Sequence, residues 1–149
     1  VWLKDANCAG IELDWATAIG YANALYDGCP DCFGVSGDCG LSDGSVAGDW
    51  RLPSIKELLS LVDYGSIDPA LPAGHPFMDV QAPGYITYTT TSAKQIFVPG
   101  GGYGSSTSRA GLPAEKWAVE MTRGQSLFIP GTDENLSQSY TWPVRDSKE

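Results

Sequence analysis

The residues with the most chemistry within reach are four cysteines, Cys8, Cys29, Cys32 and Cys39, all within the first 39 of 149 residues. Thiols in this pattern support three chemistries. An even number clustered in a Gly- and Asp-rich stretch reads as two disulfides formed in an oxidising compartment, with the pairing left open. A four-thiolate zinc site normally uses two Cys-x-x-Cys knuckles, and here one pair, Cys29 and Cys32, has that spacing. A redox-active Cys-x-x-Cys normally opens a helix whose N-terminus stabilises the thiolate. Phe33-Gly34-Val35-Ser36-Gly37 follows instead, which reads as a loop. Disulfides are the expected chemistry.

Other constellations are weaker. Asp38, Asp43 and Asp49 do not follow the Asp-x-Asp-x-Asp-Gly spacing of a calcium loop and read as turn formers. The single histidine, His75, precedes Pro76 and reads as a hydrogen-bonded structural residue. One histidine without Gly-x-Ser-x-Gly gives no serine triad, and no His-Glu-x-x-His is present for a zinc hydrolase. Nothing singles out a carboxylate pair for sugar hydrolysis among the 18 acidic residues. The expectation is a protein that is not an enzyme and needs no cofactor and no metal. The segment from Pro99 to Pro113 carries Gly100, Gly101, Gly102 and Gly104 in neither the phosphate-loop nor the dinucleotide pattern. Its Gly/Ser/Tyr composition is that of a flexible recognition loop, in which tyrosine offers contact area at low entropic cost. Tyr103 and Arg109 are its candidate ligand-binding residues. Lys94, Lys116 and Arg123 are the cations that can join Arg109 in a basic patch.

The elements that must position these residues are unevenly written. The clearest is a helix after Trp50-Arg51-Leu52-Pro53. Ser54 and Glu57 form a capping box, and Ile55, Leu58, Leu59 and Val62 fall on one face. Arg51, between Trp50 and Leu52 of an extended segment, points away from them or pairs with a buried acceptor. A first helix starts at Asp14, with Trp15, Ala18, Ile19, Ala22 and Leu25 as its apolar stripe and Gly28 as its stop. Residues 29–49 form a long loop, and residues 65–83 are irregular. Strands are expected at Val1-Trp2-Leu3, Tyr85–Thr91, Gln95–Val98, Trp117–Thr122, Ser126–Ile129 and Tyr140–Arg145. Pairing of the first with the last brings the termini together.

Composition narrows the partners. Residues 1–79 hold 12 acids and 3 bases, residues 80–149 hold 6 of each, and the net charge is −9. The acidic half repels nucleic acid and anionic membranes. No apolar run is long enough to span a bilayer, so direct membrane insertion is not expected. A start at Val1 rather than Met reads as one piece of a larger secreted or surface protein.

The segment Trp50-Arg51-Leu52-Pro53-Ser54, continued by Lys56-Glu57-Leu58 and Leu61-Val62-Asp63, resembles the signature of the bacterial DUF1566 domains. That family includes the C-terminal domain of a Legionella collagen-like adhesin. Leu3–Cys8, Trp15-Ala16, Cys39–Ser45, His75-Pro76-Phe77, Trp117-Ala118-Val119 and Trp142–Arg145 resemble further landmarks, so the likeness spans nearly the whole chain. Where the family has Tyr-Trp-Ser-Ser-Thr, this chain reads Tyr88-Thr89-Thr90-Thr91-Ser92 and lacks the middle aromatic. The resemblance implies cysteine landmarks at Cys8 and Cys39, hence a Cys8–Cys39 bridge, with Cys29–Cys32 left as a local one. It also implies a C-type-lectin-like or formylglycine-generating-enzyme-like fold. The formylglycine-generating relatives use a cysteine pair in their C-terminal part, and this chain has no cysteine after Cys39, so the likeness lends fold rather than activity.

These readings combine into one disulfide-stapled α+β domain over residues 1–149, C-type-lectin-like. Two helices pack on a twisted, mostly antiparallel sheet with long loops. The expected function is an extracellular bacterial binding or adhesion module for a glycan or surface protein. Its ligand-binding residues would be Tyr103, Arg109, Lys116 and Arg123. The relative implies a sulfated glycosaminoglycan, which the acidity of this chain disfavours. The competing reading is a homo-oligomeric subunit or cap of a surface filament.

Overall fold

The computed structural model describes residues 1–82, 89–91, 94–96, 102–129 and 138–147, and of 89–91 and 94–96 the backbone. The helices are α1, Trp15–Ala24, and α2, Ile55–Ser60. The strands are β1 Asp31–Cys32, β2 Val35–Ser36, β3 Trp50–Arg51, β4 Thr89–Thr91, β5 Lys94–Ile96, β6 Gly102–Arg109, β7 Leu112–Glu120, β8 Ser126–Ile129 and β9 Val144–Arg145. The chain is therefore mixed α+β, and every strand ladder is antiparallel. One expectation changes. Among the described residues the strands form four small sheets rather than one, pairing as β1-β2, β3-β9, β4-β5 and β6-β7-β8. The strands expected at 85–91 and 95–98 lie partly outside the described residues.

Both helices begin as their sequences dictate. Asp14 accepts the Thr17 N–H at 3.1 Å. The capping box of α2 is complete, with Ser54 Oγ accepting from the Glu57 N–H at 3.2 Å and Glu57 Oε2 accepting from the Ser54 N–H at 2.7 Å. The first helix turns the expected stripe inward with one exchange, Tyr21 in place of Ile19. Ala18, Tyr21, Ala22 and Leu25 are buried, Trp15 is half-buried and Ile19 is exposed. It also stops before Gly28, because Leu25 adopts an extended backbone that seats its side chain in the core.

The two ends of the chain meet. The Leu3 N–H donates to Pro143 O at 3.1 Å and the Arg145 N–H to Val1 O at 2.9 Å. Val144 thus bridges Trp2 on one side and Arg51 on the other. Behind this seam lies an aromatic core around the fully buried Trp142, whose ring lies 5.3 Å from Trp2, 4.8 Å from Phe77 and 5.1 Å from Tyr103. Its indole N–H donates to Leu3 O at 2.8 Å, so burial leaves the ring's own polar atom paired.

The Gly-rich segment is the largest departure from expectation. From Gly102 to Arg109 it is a strand, β6, paired with β7. Gly104 within it serves close approach. A Cβ on Gly104 would lie 2.4 Å from Ser139 Oγ. The bare backbone instead lets the 139–140 segment bond alongside, with the Gly104 N–H donating to Tyr140 O at 3.0 Å and the Tyr140 N–H to Gly102 O at 2.9 Å.

A polar cleft beside the terminal seam

The cysteines pair as Cys8–Cys39 and Cys29–Cys32, with Cα separations of 5.6 and 5.9 Å. The acidic loop they staple uses its aspartates as acceptors for its own backbone. Asp27 takes the Gly44 N–H, Asp38 those of Gly28 and Gly40, Asp43 that of Ser45, and Asp49 that of Val46. The contacts of Asp38 with Gly40, Asp43 with Ser45 and Asp49 with Val46 are local turns of the kind these side chains favour, and the other two tie the loop across its width. Among the described residues, no three His, Cys, Asp or Glu side chains converge to hold a metal ion.

The residues expected to bind ligand do not share one surface. Tyr103 is fully buried; its hydroxyl accepts the Gln81 N–H at 2.7 Å, and burial raises its pKa above the usual tyrosine value. Lys116 is also buried, on the opposite face of β7 from Trp117. Its ammonium donates to Ser139 Oγ at 3.1 Å, and burial pushes its pKa down to about 8 against the pull of Asp14. Arg109 sits on the Trp117 face, paired with Glu115 at 2.7 Å and 4.2 Å from the Phe128 ring centroid. Arg123 is exposed in the turn after β7. Lys94 lies in β5, outside the residues whose side chains are described. Among the described residues the four expected contacts are thus not gathered on one surface: strand geometry sends neighbouring residues to opposite faces, and Tyr103 and Lys116 are interior.

A cleft of about 280 Å³ opens instead beside the β3–β9 pair, lined by Gly48, Asp49, Arg51, Arg145, Asp146 and Ser147. Arg51 is held there by the capping box of α2. Its guanidinium forks onto Glu57 at 2.9 and 3.0 Å and reaches Asp146 at 3.0 Å. The hydrogen bond from Arg51 is the main cause that lowers the Glu57 pKa to about 2. Arg145 comes from the last strand. It pairs with Asp43 at 2.9 Å and lies over the Trp50 ring at 5.5 Å. Its Nε is buried and meets no acceptor. The cleft therefore offers fixed cationic donors and carboxylate acceptors side by side. Sequence reading had marked Trp50-Arg51 and Trp142–Arg145 as landmarks without joining them. The signal at Trp50 was alternation, which puts the ring in the core and Arg51 at its edge; residues 141–144 are all buried and gave no such signal for Arg145.

Comparison with known proteins gives one result: a family model described as the Lcl C-terminal domain matches residues 1–145. No curated protein and no solved structure matches the chain.

Proposed function

Given that the chain belongs to the Lcl C-terminal domain family, we propose that it is an extracellular bacterial binding module, C-type-lectin-like in fold, that engages a glycan or other cell-surface molecule rather than catalysing a reaction. The observation that carries this is the cleft at the β3–β9 seam. A sugar hydroxyl both donates and accepts hydrogen bonds, so it is matched by a site that presents guanidinium donors and carboxylates together. The Arg51, Arg145, Asp49 and Asp146 side chains line this cleft.

Two further observations support the setting. Two disulfides fit an oxidising, extracellular compartment. Among the described residues, no helix is long and apolar enough to cross a membrane. A net charge of −9 argues against nucleic acid as partner.

The test is a glycan array that includes sulfated and neutral polysaccharides, probed with the wild type and with Arg145→Gln and Asp146→Asn. Binding that falls in both variants supports the cleft. Binding that is unchanged in both removes it as the site. No binding at all, together with self-association at micromolar concentration in sedimentation, transfers the reading to a filament subunit or cap.

A further inference from the structure

The β1–β2 hairpin turns on two residues, because Cys32 pairs directly with Val35. Those residues, Phe33 and Gly34, have φ of 56° and 83°. Positive φ at both centres is the mark of a type I′ turn, whose first position normally takes Asn, Asp or Gly. A bulky aromatic is disfavoured there by its own Cβ. Phe33 nevertheless occupies it and is 56% exposed.

The explanation lies in α1. A Cβ added to Gly20 would stand 2.6 Å from Phe33 Cζ, 2.8 Å from Cε1 and 3.0 Å from Cε2. The far edge of the ring therefore rests on bare helix backbone, while the residue as a whole stays exposed. Glycine in a helix interior is itself unfavourable. Two residues that weaken their own elements meet in one contact, and the contact holds an aromatic ring outward. The turn beneath is braced by Asp31, which accepts the Gly34 N–H at 2.7 Å, and by the Cys29–Cys32 bridge. A ring fixed in this way loses little freedom on binding.

Its place in the surface matters. One helical turn beyond Gly20, Asn23 O accepts the Gly48 N–H at 2.8 Å, and Gly48 lines the polar cleft. Exposed Asn23 and Val46 lie along this route. Phe33 and the cleft are thus both tied to α1, one at Gly20 and the other at Asn23.

We propose that Phe33 is an aromatic platform that stacks on the apolar C–H face of a neutral pyranose, as part of the same glycan whose hydroxyls enter the cleft. The proposal rests on the glycan-binding reading above and names its ligand class. The ring face carries negative charge density and attracts polarised C–H groups. The ligand is neutral because the platform stands in the acidic half of the chain, beside exposed Asp31, where 12 acids face 3 bases over residues 1–79.

The test is saturation-transfer NMR on the whole chain with chitotetraose and β-1,4-galactotetraose as probes, comparing wild type, Phe33→Asn, Phe33→Trp and Arg145→Gln. Asn suits the turn, so Phe33→Asn should melt at or above the wild-type temperature while its affinity falls about tenfold or more, the scale of one aromatic contact. Phe33→Trp should retain binding. Transfer should fall on ring C–H protons of the sugar. Wild-type-like binding by Phe33→Asn, or no binding of either neutral probe by the wild type, overturns the platform. If the wild type binds charged glycans on the array in an Arg145-dependent way while both neutral probes fail, the cleft reading stands and the platform alone is wrong. If Arg145→Gln binds everything as the wild type does, the cleft reading is the one that fails.

Discussion

Lys116→Met should make this protein more stable at neutral pH, and the gain should disappear in base. Lys116 is 2% exposed and has one hydrogen bond, to Ser139 Oγ at 3.1 Å. Burial lowers its pKa from 10.5 to about 8, which the attraction of Asp14 only partly offsets. That displacement corresponds to about 3 kcal/mol of penalty on the charged amine at pH 7. Because the folded value lies below the unfolded one, the unfolded chain holds more protons between pH 8 and 10.5, and wild-type stability rises with pH across that window. Methionine is of similar length and fills irregular space well. Losing the bond to Ser139 costs roughly 1 kcal/mol, so the net gain at pH 7 is about 2 kcal/mol, or roughly 6 °C in Tm for a chain of this size. The assay is urea denaturation of both proteins at pH 7.0 and 9.5. The upper limit is set below 10 because burial holds the Tyr21 and Tyr103 hydroxyls un-ionised above their usual range, which lowers stability at still higher pH. The difference between the two proteins should shrink by at least half at pH 9.5. Parallel curves at both pH values, or a variant less stable at pH 7, would mean that the ammonium is adequately solvated and the reasoning is refuted.

Three other perturbations follow from single contacts. Replacing Cys8 and Cys39 by serine opens a loop of sequence separation 31 and should cost between about 3 and 4 kcal/mol of chain entropy, read by thermal melts with and without reductant. Gly124→Ala should cost at least about 2 kcal/mol, because φ is +75° and the new Cβ would stand 2.2 Å from Val62 Cγ1. Adding Val62→Ala should recover the steric share and not the backbone share, which a double-mutant cycle in urea separates. Glu120→Gln should cost about 2 kcal/mol, since the buried carboxylate accepts from the N–H groups of Thr122, Arg123 and Gln125. An unchanged midpoint for Glu120→Gln would show that the turn after β7 keeps its shape without the charge.

What the sequence disclosed and what it hid divide along the range of the interactions. The capping box of α2, the Asp14 cap and the aspartate turns are contacts between residues two to four apart, so residue type alone specified them. On α1 the stripe of Ala18, Ala22 and Leu25 was legible, but Tyr21 and Ile19 are both apolar enough to go inward, and elements far along the chain made that choice. Arg51 stands in between: its need for an acceptor was legible, and the acceptor turned out to be Glu57, the residue already bound to the cap.

The glycine-rich segment shows why Tyr103 reads as a loop residue in the sequence although it is buried. A run of glycine and serine has two physical uses, one to keep a chain mobile and the other to let a second backbone come close. Composition is identical in the two cases. The difference lies with the partner: here Ser139, some 35 residues away, sits where a Cβ on Gly104 would have been, and Tyr140 bonds the Gly104 backbone. Once that segment is a strand, its tyrosine belongs to the core and its neighbouring cations are divided between two faces. The same test, applied to Gly20, gives the opposite lesson. There the space left by the missing side chain is filled by an aromatic ring whose own backbone is unfavourable, and the ring remains exposed. A Phe-Gly turn flanked by Cys32 and Val35 was the available signal, because a phenylalanine in a position made for asparagine asks for a reason beyond folding.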